Sequence, residues 1–179
     1  MTCTGDRGAG DAEANHGPPA DPTTDPTLPR LILGSYERLI GVSLVPANVG
    51  RGEAVRWLYE AAPFCVLAHD TAADPVFTYA NQAAQRCFEY SWAEFLALPS
   101  RLSAEAPDRA ERQRLFDQVS RRRFASGYRG LRVARSGRRF WIEDGTVWQL
   151  IDADGAVQGE AAVFPRWRDA EGDERDDRA

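Results

Sequence analysis

Apolar residues along this chain recur with two periods, and the period changes once. In the first half, Leu28, Leu31, Ile32, Tyr36, Leu39 and Ile40 return at helical spacing. Pro29 suits a first helical turn, where a missing N–H leaves nothing unpaired. The spacing predicts a helix over 29–40. A second, shorter stripe of Ala54, Val55, Leu58 and Ala62 predicts a helix over 53–62 that Pro63 stops. Two apolar runs, 64–70 and 75–80, flank a polar break and predict adjacent strands.

Asn81 follows the second strand and predicts a helix N-cap, because its short side chain accepts from the first free amides. Ala84, Cys87 and Phe88 form the inward stripe of that helix. Ser91, followed three residues on by Glu94, predicts a capping box for a helical turn over 92–98. The longest helix is predicted over 107–124, with Leu115, Phe116 and Val119 on one face. Beyond it the period drops to two. Alternation over 128–134, a Ser136-Gly137 turn and alternation over 139–151 predict a hairpin. A second turn at 152–155 leads to a closing strand over 157–164. Two strands, a helical middle and three antiparallel strands predict an α+β fold, a sheet of about five antiparallel strands with helices packed on one face.

Composition changes the picture at the ends. The chain has 179 residues, a net charge of −5 and a pI near 5.1. Residues 1–27 hold almost nothing apolar, and 168–179 hold six acids against three arginines. Both are expected to be disordered acidic tails, which leaves 28–167 as the folded domain. No apolar leader or 20-residue apolar span is visible, so a cytoplasmic location with no membrane partner is expected. The three cysteines, Cys3, Cys65 and Cys87, have no metal or disulfide spacing, and the two internal ones read as buried thiols. The acidic total makes nucleic acid an unfavoured partner.

Several ordered blocks carry a resemblance. They include Val66-Leu67-Ala68-His69-Asp70, Phe77-Thr78-Tyr79-Ala80-Asn81-Gln82-Ala83-Ala84 and Phe88-Glu89 with Trp92. They continue with Leu98-Pro99-Ser100-Arg101-Leu102-Ser103, Tyr128-Arg129-Gly130-Leu131-Arg132-Val133 and Gly159-Glu160-Ala161-Ala162 with Trp167. Together they resemble the MEKHLA domain family, a PAS-like group, in its bacterial stand-alone type. Glu160 departs from the glutamine that bacterial relatives tend to carry before Ala-Ala. The resemblance implies a PAS-like fold and a sensor or interaction role, and it carries over no established catalytic activity. It disfavours haem, because the long helix has no histidine, and cysteinyl-flavin, because 99–107 has no cysteine.

The residues themselves show no catalytic constellation. Glu143 and Asp144 are adjacent in a strand and point to opposite faces. His69 reads as a satisfied strand-end histidine. The candidate ligand contacts are Tyr79, Asn81, Phe88, Trp92, Arg101, Arg132, Phe140 and Trp148. Small residues on one face of the last strand, Gly159, Ala161 and Val163, are expected to leave room beside them. The expectation is a PAS-like sensory, ligand-binding or protein-interaction module. Its partners would be a small molecule, another protein or a second copy of the chain. One alternative is an enzyme on a small anionic substrate, with Arg101 and Arg132 as anchors and His69 as base. Another is an arginine patch for nucleic acid or an acidic partner, since 101–139 holds twelve arginines against four acids.

Overall fold

The computed structural model describes residues 22, 24–104 and 109–170, without the side chains of 109–114 and 116. Of the expected tails 1–27 and 168–179, residues 1–21, 23 and 171–179 lie outside the described residues, as does the Phe116 side chain. Two helices come first, α1 (Thr27–Ile40) and α2 (Ala54–Glu60), then strands β1 (Cys65–His69) and β2 (Phe77–Ala80). The helical middle is α3 (Gln82–Phe88), α4 (Trp92–Phe95), a 3-10 turn at Ser100–Ser103 and α5 (Arg109–Arg122). It leads into β3 (Phe124–Val133), β4 (Arg139–Ile151), β5 (Val157–Phe164) and β6 (Arg166–Asp169). The strands lie in the order β2-β1-β5-β4-β3, all neighbours antiparallel. β6 pairs with the first half of β4 and so continues the line of β5 past Pro165.

The local signals act as their chemistry requires. Asn81 caps α3 by accepting from the Ala84 amide, and Ser91 and Glu94 form a complete capping box on α4. The long helix ends at Arg122, two residues short of the predicted 124. Arg123 turns left-handed at φ 68°, and Phe124 already pairs with Trp148. β6 also carries ordered structure past the expected boundary at Trp167. Arg168 donates to Glu143 at 2.9 Å and Arg138 to Asp169 at 2.5 Å, holding this strand on its neighbours.

The sheet is covered on both faces. Val147 of β4 pairs with Ala162 and Ala162 with Leu67, so these three share a face. It is the face on which α5 sets Leu115 and Val119, and α3 and α4 set Phe88 and Phe95. We call it the inner face. Trp148, one residue on, pairs with Ala161, which pairs with Ala68, and these point the other way. There α1 covers the sheet, with Tyr36 edge-on to Trp148 at 4.9 Å and Ile32 fully buried. The helical middle therefore packs on the inner face, as the pattern implied, while α1 crosses to the outer one. Ser35 fixes the crossing: its hydroxyl donates to the Ile151 carbonyl at 3.1 Å and accepts from the Ile151 amide at 3.0 Å.

Candidate functional site

The inner face is not filled throughout. Between it and the layer of α5 and the 3-10 turn lies a cavity of about 90 Å³. Leu67, Phe77, Leu115, Ile142, Val147, Ala162 and Phe164 give it an apolar middle. Its polar groups gather in two places, His69 with Glu160 and Tyr128 with Arg132. Ser100 and Ser103 of the 3-10 turn also border it, and Ser103 donates to the Ser100 carbonyl at 2.7 Å.

Strand register builds the first polar pair. His69 ends β1 and pairs with Glu160 of β5. His69 Nδ1 lies 2.8 Å from the Asp70 carbonyl oxygen, which can only accept, so Nδ1 carries the proton. Nε2 then faces the Glu160 carboxylate at 3.9 Å, with both side chains largely buried. The strands can approach this closely because residue 159 is glycine. A Cβ there would sit 2.1 Å from the His69 carbonyl oxygen.

Tyr128 and Arg132 share the inner face of β3 with Gly130 between them. The Arg132 guanidinium donates to the Tyr128 hydroxyl at 2.8 Å and to the Leu131 carbonyl at 2.9 Å. Its central carbon lies 5.3 Å from the Tyr128 ring centre. Two glycines make the bed for that ring. A Cβ at Gly130 would meet the Tyr128 hydroxyl at 2.2 Å, and one at Gly145 would meet the Tyr128 carbonyl oxygen at 3.2 Å.

The eight candidate contacts separate into groups. Arg132 borders the cavity. Phe88 and Phe140 are buried in the inner-face core, edge-on at 5.0 Å, outside the cavity lining. Tyr79, Trp92 and Trp148 belong to the cluster that α1 and α2 cover. The divergence of Tyr79 from its neighbour Phe77 has a specific cause. His69 pairs with Phe77 and Ala68 with Tyr79, so Thr78 is an extra residue that switches the face. Burial pushes the Tyr79 phenol above its ordinary range. Asn81 is fully employed as a strut. Its Oδ1 accepts from the Val66 and Ala84 amides and its Nδ2 donates to the Leu58 and Phe64 carbonyls, which exhausts an amide side chain. Arg101 is exposed and bound to Asp74 at 2.9 Å. His69 and Arg101 therefore do not meet at one cavity, as the enzyme reading required; Arg132 takes that place.

The small face of β5 also lies elsewhere than expected. Ala161 and Val163 point their side chains at the outer cluster, and Ala162 faces the cavity. Tyr128 and Glu160 are polar cavity residues that residue-type reasoning did not single out as contacts. The glycines around Tyr128 were the available signal.

The arginines of 101–139 serve several elements. Arg135 pairs with Glu94 at 2.9 Å, Arg138 with Glu89 at 2.8 Å, and Arg129 lies over the Trp141 ring at 4.1 Å. Arg121, Arg122 and Arg123 are exposed at the end of α5, and the side chains of Arg109, Arg112 and Arg114 lie outside the described residues. Among the described residues, no three His, Cys, Asp or Glu side chains gather to hold a metal, and no helix is long and apolar enough to cross a membrane.

The geometry now has relatives to stand beside. The family model of the MEKHLA domain matches residues 26–169. The chain belongs to the MEKHLA domain family. Two curated relatives, the homeobox-leucine zipper protein HOX9 of the indica and of the japonica subspecies of Oryza sativa, are each 30% identical over 149 residues. The match covers 79% of this chain but 17% of either relative's length. Among solved structures, the MEKHLA domain is similar to a PAS domain from Colwellia psychrerythraea. The TM-score is 0.54 at 13% identity, over 64% of this chain and 92% of that one. It is also similar to an RNA-binding light-oxygen-voltage receptor, with a TM-score of 0.55 at 20% identity, over 70% of this chain and 35% of that one. These likenesses establish a PAS-like fold for the MEKHLA domain.

The cavity as it stands is smaller than a flavin needs. A single benzene ring occupies a protein cavity of about 150 Å³, and an isoalloxazine has three fused rings against about 90 Å³ here. A haem is larger still. Cys65 and Cys87 are buried in the inner-face core and neither borders the cavity. The Cys87 side chain hydrogen-bonds Cys65, and with burial this drives the Cys65 thiol far above its ordinary value, which makes it a poor nucleophile.

Proposed function

We infer that this MEKHLA domain is a small-molecule sensor, in which occupancy of the inner-face cavity is read out by α1 on the outer face. One observation carries the reading. The wall between the cavity and the cluster that α1 and α2 cover is a single layer of strand residues on β1 and β5. Leu67 and Ala162 face the cavity, while their neighbours Ala68, Ala161 and Val163 support the cluster under α1. A ligand that shifts these strands by a fraction of an ångström moves the floor on which Tyr36 and Trp148 meet, because packed interiors transmit displacement. The receiver of the change is a protein partner or a second copy of the chain, reached through α1. Catalysis is not part of this reading.

The test is a fragment screen by protein-observed NMR. Fragments that perturb Leu67 and Ala162 are expected also to move the Trp148 indole signal and the Ile151 amide held by Ser35. Binders that occupy the cavity and leave Trp148 and Ile151 unmoved would sink the reading.

A further inference from the structure

The cavity has an apolar interior and a polar margin, and the margin is already committed to the protein. Leu67, Phe77, Leu115, Ile142, Val147 and Phe164 bring apolar side chains to it from β1, β2, α5, β4 and β5. The polar groups beside them bond inward. The Arg132 guanidinium donates to the Tyr128 hydroxyl and the Leu131 carbonyl, Ser103 to the Ser100 carbonyl and His69 Nδ1 to the Asp70 carbonyl. Glu160 lies 3.9 Å from His69 Nε2. Arg132, His69, Glu160 and Ser100 each have a further interaction within the protein.

Such a margin gives a charged ligand little to gain. Taking an ion out of water carries a large desolvation cost, which only uncommitted partners of the right sign repay. Here the margin holds both a guanidinium and a carboxylate, each engaged, so neither sign of charge is favoured. A neutral polar atom loses less, but it still exchanges its water for groups that are already bonded. An apolar surface carries no such cost. Its transfer from water onto the apolar interior is favourable in proportion to the area buried.

We propose that the cavity takes a neutral, apolar small molecule and selects against charge of either sign. The proposal rests on the reading of the cavity as a ligand site. Its test holds shape nearly constant and changes polarity. Cyclopentane, tetrahydrofuran and protonated pyrrolidine, three rings of similar size, are titrated against the full chain by protein-observed NMR, with butyrate as the anionic probe. Cyclopentane is expected to bind at least about tenfold more tightly than tetrahydrofuran, because the ring oxygen finds no uncommitted donor. Pyrrolidine and butyrate are expected to bind more weakly than tetrahydrofuran. This series uses the unaltered protein, so its outcome does not depend on a variant folding. Ala162→Val, which narrows the cavity from β5, is expected to weaken cyclopentane several-fold. Tetrahydrofuran, pyrrolidine or butyrate binding as tightly as cyclopentane overturns the selection for apolar ligands and leaves the ligand-site reading standing. A cyclopentane affinity unchanged in a folded Ala162→Val places the ring outside the cavity and likewise overturns the proposal. Failure of all four probes and of a wider fragment set to perturb the cavity overturns both.

Discussion

The two faces of one sheet have solved opposite packing problems with the same strands. On the outer face, aromatic rings fill the space beneath α1. Tyr36 meets Trp148, and Tyr59, Tyr79 and Trp92 meet one another edge to face at 5.8–6.4 Å. On the inner face, rings crowd one part of the layer, around Phe88, Phe95 and Phe140, and a cavity remains beside them. Large side chains alone do not decide which face becomes a site. The cavity lies where small residues, Ala162 and Gly145, face a helix whose own apolar stripe is sparse.

This contrast can be broken most forcefully at Trp148, which is fully buried. Trp148→Ala is expected to cost about 3–5 kcal/mol, read from urea unfolding midpoints, because α1 cannot collapse into the void. A loss below about 1 kcal/mol would mean that the outer face is not the tighter one. A sharper comparison uses adjacent alanines. Ala161→Val adds volume to the filled face and is expected to cost about 1–3 kcal/mol. Ala162→Val adds the same volume toward the cavity and is expected to cost less than ~1 kcal/mol, because the space is already there. Equal losses would contradict the assignment of the two faces.

Much of the fold was legible because its signals are local. The N-cap at Asn81 and the box at Ser91 and Glu94 depend on residues three apart, and sequence displays those directly. The stripe on α1 showed that one side is buried but not against which face, since that depends on contacts more than a hundred residues away, such as Ser35 with Ile151. The site was less legible. Arg132 could be singled out as an anion anchor, and alternation puts Tyr128 on its face, but which residues of β4 stand opposite could not be read from the sequence. The β3–β4 register shifts on both sides of Tyr128. One extra residue, Thr78, likewise hides the fact that Phe77 and Tyr79 serve different faces.

Two smaller effects complete the comparison. Ser35→Ala removes both bonds to Ile151 and leaves a buried amide unpaired, an expected loss of about 1–2 kcal/mol. Accelerated hydrogen exchange confined to α1 and the β4–β5 turn would show that the outer layer loosens by itself. Exchange spreading to α5 would show that the faces do not separate.

The inner layer is instead pinned by Glu89, at the end of α3. Hydrogen bonds from Arg138 and then Ser136 hold its carboxyl below the ordinary 4.5. Because the folded value is depressed, the stabilisation is present above pH 4.5 and is lost as pH falls through the lowered folded value. Glu89→Gln is expected to flatten the decline of the melting temperature in that acid window. An unchanged acid slope would remove Glu89 from the account.

Gly159 has a consequence for genetics. It does not border the cavity and carries no side chain, yet any replacement collides with the His69 carbonyl oxygen at 2.1 Å and must pry β1 from β5. Those two strands are part of the partition between the cavity and the cluster that α1 and α2 cover. If the domain signals as proposed, selections for variants that signal constantly, or never, should return Gly159. The glycine would score as a signalling allele although it is, chemically, silent.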